Sequence, residues 1–221
     1  MYLEQVVRTV ALDVSAGAMV LDAGSGLGLY KSLFSHTRFE SADFMQVEKK
    51  YGEFLYVCDL ASIPVEDARF DFVLSTQTME HLREPQPVLR ESRRVLKSGG
   101  RILYTGPLFY EEHEQPHDYF RYTQFALRYF FREAGLTIER LEWLEGYYGT
   151  LAYQLATASQ SLRLRSEDFG GDVVGLIMVP TSAVLRTGFR FLGAMFHRLD
   201  IRHTFTRAGY PKNYVVVAQK P

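Results

Sequence analysis

One stretch near the front of the chain narrows the possible folds more than any other: VLDAGSGLGLY, Val20 to Tyr30. An apolar run ends in Asp22, and glycines follow at 24, 26 and 28. Glycine lets the backbone turn without a Cβ clash and lets a ligand approach the main chain closely. A turn of this kind directly after a strand marks a nucleotide-binding α/β unit. Which nucleotide it suits depends on the neighbouring residues. A triphosphate loop requires a lysine and then a serine or threonine after its last glycine, where this chain has Leu29 and Tyr30. A dinucleotide turn requires its third glycine at the position of Leu29, and Gly28 comes one residue too early.

The rest of the chain alternates strands and helices. Leu3, Val6, Val7, Val10 and Val14 recur at helical spacing, and Ser15-Ala16-Gly17 ends that helix before the strand AMVLDAG. A helix is expected from about Leu27 to Ser35, then strands at RFESAD, LYVCDL and FDFVLST. The segment PVLRESRRVLKSGG reads as a helix stopped by Gly99-Gly100, and RILYTGP as the fifth strand. Thr123 to Ala134 reads as a helix with Thr123 as N-cap and Gly135 as stop. LTIERLEWL and NYVVVAQK are the sixth and seventh strands. This alternation predicts an α/β sheet with helices on both faces. Residues 146–213 separate the last two strands, far more than a normal connection, so they are read as an insertion with its own helices inside a single domain, 1–221.

Composition excludes several classes. With 47% hydrophobic and 23% charged residues the chain is globular, and a net charge of −1 gives no field toward nucleic acid. The single cysteine, Cys58, rules out a disulfide framework. Glu4, Arg8 and Asp13 break the apolar pattern at the front, so no leader is read there, and no transmembrane helix is expected. A cytoplasmic protein is the expectation.

In its motifs the chain resembles the class I S-adenosylmethionine-dependent methyltransferases, of the small-molecule type similar to the ubiquinone-pathway O-methylating enzymes. LDAGSGLG looks like their first motif, FDFVLSTQTMEHL like their fourth strand and RVLKSGGRILYTGP like the entry to their fifth. The resemblance runs to about Leu144 and resumes in the last strand. It implies a doubly wound, Rossmann-like sheet of seven strands, the last antiparallel, with S-adenosyl-L-methionine as cofactor. It assigns Asp22, Gly24, Ser25, Gly26, Gly28 and Thr76 to that cofactor, Asp43 to its ribose hydroxyls, and Asp59 and Leu60 to its adenine. The tetrapeptide of DNA- and amide-methylating relatives is absent; STQT stands in its place.

Acceptor chemistry is expected at the carboxyl ends of the strands. The polar stretch GPLFYEEHEQPHDYFRYT follows strand five and supplies His113, His117, Asp118, Tyr119 and Arg121. His117 is the favoured general base because Pro116 stiffens its approach and Asp118 marks an ordered turn. Asp118 joins the catalytic candidates, and Tyr119 and Arg121 are expected on the substrate. Equally, Arg121 could simply pin the loop to nearby carboxylates. His81, in MEHL, is a further candidate, whether toward substrate or as a structural residue. Related enzymes hold a cation with an E-x-x-E-H pattern here, but Gln77 replaces its first acid, so no metal is assigned.

Within the insertion, Leu185, Phe189, Leu192, Phe196 and Leu199 share a helical face, with Arg186, Arg190, His197 and Arg198 off it. Pro180 is expected to interrupt the run before it. This element suits a lid, a homodimer interface or a peripheral membrane contact. The function expected is methyl transfer to oxygen on a small-molecule, sugar or lipid-linked acceptor, with no nucleic-acid partner. A cofactor-binding partner subunit without turnover is the alternative, and a nicotinamide oxidoreductase stands behind it.

Overall fold

Apolar residues at helical spacing form α1 (Tyr2–Asp13), which buries Val7, Val10 and Ala11. The structure is a computed structural model and describes residues 2–45 and 50–221. Seven strands follow α1: β1 (Met19–Ala23), β2 (Arg38–Asp43), β3 (Tyr56–Val57), β4 (Phe70–Thr76), β5 (Leu96–Pro107), β6 (Thr137–Trp143) and β7 (Asn213–Gln219). They form one sheet in the order β3-β2-β1-β4-β5-β7-β6. Only β7 runs antiparallel, pairing with both β5 and β6, as the resemblance implies.

Successive residues on a strand face opposite sides of a sheet, and the central strands are apolar on both. Leu21, Val73 and Ile102 therefore join one core layer with Leu89 of α2 (Pro85–Val95) and with Leu127 and Phe131 of α3 (Gln124–Glu133). Val20, Phe72, Leu74 and Leu103 join the other, under α1 and Phe34. Thr123 caps α3, its side chain accepting from the Ala126 N–H at 3.3 Å.

Several sequence expectations need correction. No helix spans 27–35; a short 3₁₀ turn, Lys31–Phe34, is all that follows the glycines. Gly26 and Gly28 hold positive φ, and Leu27 and Leu29 point to solvent, so that segment has neither helical backbone nor an apolar stripe. Next, α2 ends at Val95, and Gly99-Gly100 lie within the span of β5. In LYVCDL, only Tyr56 and Val57 pair with β2.

The chain divides into two compact units, 1–144 with 213–221, and 145–212. The second holds α4 (Tyr147–Ser161) and α5 (Val173–Arg202). Asp172 starts α5 by accepting from the Val174 N–H at 2.8 Å. Contrary to the sequence expectation, α5 passes through Pro180 without ending. Pro180 sits on the exposed side of the helix, where a carbonyl left without its N–H partner meets solvent. By length and composition alone α5 is apolar enough to cross a membrane, with mean hydropathy 1.2 over its richest window. Its buried positions are small or polar: Gly175, Ser182, Gly193 and Asp200. Asp200 accepts from the Gly146 N–H at 3.1 Å, and Phe196 packs on Tyr148.

Candidate functional site

The site is built at the carboxyl ends of β1, β4 and β5, where loops of a parallel sheet converge. After β1 the chain turns through Gly24 (φ +83°) and Gly26 (φ +54°). A Cβ on Gly24 would run into the Thr78 side chain, so this position must be glycine on two counts: backbone sign and space. A Cβ on Gly26 would meet nothing within 4 Å, so the main chain there faces an open cradle. Asp43, at the end of β2, closes the cradle by accepting from the Gly26 N–H at 2.9 Å and the Met45 N–H at 2.8 Å.

Asp22 lies behind this turn, fully buried, and its Oδ1 has no hydrogen-bond partner. Burial first, and then the charge of Asp43, push its carboxyl up to about 8. A buried oxygen without a partner is costly unless something satisfies it. A cationic or donor group of a ligand seated in the cradle would do so. The open glycine backbone and Asp43, which line the cleft, fit a ligand such as S-adenosylmethionine, with Asp22 buried behind the turn rather than lining it. The cleft is narrow, with a cavity of about 70 Å³, and Gly52 lies across the turn through its N–H to the Gly26 carbonyl at 2.9 Å.

The opposite wall comes from a 3₁₀ turn after β4, Met79–His81, and from the loop after β5. Backbone bonds join these two segments, with the Tyr119 and Phe120 N–H groups donating to the Glu80 carbonyl at 2.8 and 3.2 Å. The Nδ1 of His81 lies 2.7 Å from the His117 carbonyl oxygen. A carbonyl can only accept, so Nδ1 carries the proton and Nε2 keeps its lone pair. Burial pushes the His81 pKa below the ordinary histidine value, which keeps the ring neutral. Glu80 is fully buried, both of its carboxyl oxygens lack partners, and burial pushes its pKa up to about 8.

The cleft brings together Gly24, Gly26, Asp43, Leu60, His81 and His117 from the sequence candidates. It adds Phe44, Tyr51, Gln77, Thr78, Leu82 and Glu114, which sequence reasoning missed. Thr78 was findable, since it stands two residues past the end of β4; Tyr51 and Glu114 carried no local signal. Asp22, Ser25, Gly28, Asp59 and Thr76 do not line it, and neither do His113, Asp118, Tyr119 and Arg121. Asp59 turns its carboxylate onto the Ala61 N–H at 2.8 Å.

Asp118 and Arg121 staple the loop to itself, the alternative that the sequence left open for Arg121. Arg121 forks onto the Asp118 carboxylate at 2.6 and 2.8 Å and also donates to the Tyr110, Glu111 and Phe120 carbonyls. The Arg121 guanidinium holds the Asp118 carboxyl down to about 2, so it is no base near neutrality. Tyr119 offers its hydroxyl to His117 Nδ1 at 3.1 Å. His113 packs edge-on to His81 at 4.7 Å between ring centres. One ligand atom from each of Glu80, His81 and His113 lies within 4.8 Å of the other two, a juxtaposition the sequence spacing did not indicate.

A larger groove, about 700 Å³, opens at the other end of the sheet around Asp13, Asp71, Arg101 and Glu139. Asp71 pairs there with Lys97 at 2.7 Å and Arg101 with Glu139 at 2.9 Å.

Residues 21–104 match the family described as Methyltransferase domain. The sarcosine/dimethylglycine N-methyltransferase of Halorhodospira halochloris is 32% identical over 115 residues, which cover 45% of this chain and 41% of that protein. The malonyl-[acyl-carrier protein] O-methyltransferase of Hahella chejuensis is 30% identical over 96 residues, 38% of this chain and 34% of that one. The matched stretch thus spans less than half the length of either relative. Among solved structures, phosphoethanolamine N-methyltransferase 2 of Haemonchus contortus, in complex with S-adenosyl-L-methionine, has a TM-score of 0.58 at 16% identity, covering 99% of this chain and 52% of that one. The [4+2]-cyclase SpnF has a TM-score of 0.59 at 19% identity, covering 99% and 81%. At these identities the structural likeness is one of fold.

Proposed function

From the premise that this chain is a class I S-adenosylmethionine-dependent methyltransferase, we propose that it methylates an oxygen of a small-molecule, sugar-type or lipid-linked acceptor, with His81 taking the acceptor's proton. The observation that carries this reading is the cleft itself, with the glycine cradle and Asp43 on one wall and a neutral histidine on the other. When bound, S-adenosylmethionine supplies a methyl group that is already electrophilic, so the protein's work is to bind, orient and manage one proton. An alcohol or phenol must lose that proton as it is methylated, and a positioned imidazole with a free lone pair can accept it.

His81 replaces His117 as the expected base. The His117 carbonyl fixes the His81 tautomer, leaving Nε2 as the acceptor, while the His117 ring is engaged by Tyr119. His117 is then a positioning residue acting through its main chain. Calorimetry tests the cofactor half of the proposal: S-adenosylhomocysteine should bind at micromolar concentrations and NAD should not. Binding of NAD alone would sink it. Tight binding of S-adenosylhomocysteine with no methyl transfer to oxygen, nitrogen or carbon acceptors would leave a cofactor-binding partner subunit, since the fold by itself does not carry the reaction.

A further inference from the structure

The outer face of α5 is bare and apolar. Its inner side, at Gly175, Ser182, Gly193 and Asp200, is buried. Half a turn away lie Val173, Ile177, Val184, Phe191 and Met195, spaced for one continuous stripe, with Val184 72% and Phe191 70% exposed. At 1.5 Å per residue the stripe from Val173 to Met195 is about 33 Å long. Soluble monomers rarely leave so long an apolar strip uncovered. The sequence holds no Asp, Glu, Lys or Arg from Val173 to Leu185, and the charges after it are Arg186, Arg190, Arg198 and Arg202. The one acid of the helix, Asp200, is fully buried. Of these arginines, Arg198 and Arg202 adjoin the stripe at its C-terminal end, whereas Arg186 and Arg190 lie toward the buried side, so the charge next to the stripe is cationic and confined to one end.

That sign selects the occupant. A second copy packed in parallel on the stripe would set one arginine-bearing end against the other, which is repulsive. A crossing helix would carry Arg186 and Arg190 into hydrocarbon and would have to give up the bond from the Gly146 N–H to Asp200. A surface of anionic phospholipid satisfies both parts at once, with acyl chains under the apolar side chains and phosphates at the guanidinium groups. We propose that α5 lies in the plane of an anionic membrane surface, stripe inward, and holds the protein there. The proposal is independent of the methyl-transfer reading.

Vesicle flotation of the full chain tests it. With about 30% phosphatidylglycerol and about 50 mM salt the protein should float; at about 500 mM salt, or on pure phosphatidylcholine, the floating fraction should fall several-fold. The double substitution Val184→Ser with Phe191→Ser should weaken binding to the anionic vesicles by roughly tenfold or more. Both side chains are exposed, so the far-UV spectrum and unfolding midpoint should stay unchanged, and those readouts separate lost contact from lost fold. Exchanging Arg198→Glu and Arg202→Glu should abolish the preference for anionic lipid. No flotation at low salt overturns the proposal, as does flotation that the serine variant retains. A stable dimer that the serine variant dissociates would assign the stripe to a second copy instead. Binding that resists high salt and needs detergent for release would mean a spanning helix.

Discussion

A carboxyl pushed up to about 8 is protonated at neutral pH, and Asp22 is such a group, buried behind the glycine turn. A ligand ammonium placed in the cradle favours the ionised form, so binding S-adenosylhomocysteine at pH 7 should expel a proton, and affinity should rise with pH toward 8. Calorimetry in two buffers of different ionisation heat counts that proton, and Asp22→Asn should abolish it. Asp43→Ala should weaken the same binding by about 1.5–3 kcal/mol, the worth of a charge-assisted contact, with Asp43→Asn falling between. For the base, His81→Ala should lower turnover roughly 10²–10⁴-fold. His117→Ala should cost far less, because the carbonyl that orients His81 survives the change. The rate should rise with pH through a pKa below the ordinary histidine value, and that limb should vanish in His81→Ala. No metal is assigned to the reaction, so EDTA should leave turnover intact. Loss of activity restored by a divalent cation would make Glu80, His81 and His113 a metal centre instead.

Elements differ in how much of them local chemistry decides. The strands RFESAD and FDFVLST were legible to the residue, the second because an apolar, β-branched run bounded by polar turns has few other uses. Thr123 was equally legible as a cap; Thr123→Ala should cost about 1 kcal/mol in urea unfolding with no effect on cofactor affinity. Residues 27–35 misled because leucines at 27, 29 and 33 suggest a helix until the glycine dihedrals are known. In α5 the sequence drew attention to Leu185, Phe189, Leu192, Phe196 and Leu199, yet these form a flank. The face that packs is marked by its glycines and Ser182, which a hydrophobic pattern does not register. The candidate site shows the same division. Its glycine turn is a local motif and could be read, whereas the seating of His81 under the His117 carbonyl joins residues 36 apart and could not.

At the scale of the whole molecule, two buried carboxyls set how stability follows pH. Asp22 and Glu80 have ordinary values of 3.8 and 4.5, and both are raised to about 8 in the fold. Between those limits the native state holds more protons than the unfolded chain, so stability falls as pH rises through that window. His81 contributes the opposite slope, but only below about 6.5, where the unfolded imidazole titrates. The ligand-free protein should therefore melt at a lower temperature at pH 8 than at pH 6.5, and Asp22→Asn with Glu80→Gln should flatten that dependence. A melting curve that is level across this range in the unsubstituted protein would refute the assignment. The sheet order has a different kind of consequence, in time. The edge strand β6 pairs only with β7, and β7 follows the whole of 145–212 in the chain. During synthesis β6 leaves the ribosome with no partner and waits several seconds, at about 5–20 residues per second, while the helical unit is made. For that interval the ribosome carries a five-stranded sheet with an open edge at β5, and the nascent chain is most exposed to wrong pairing.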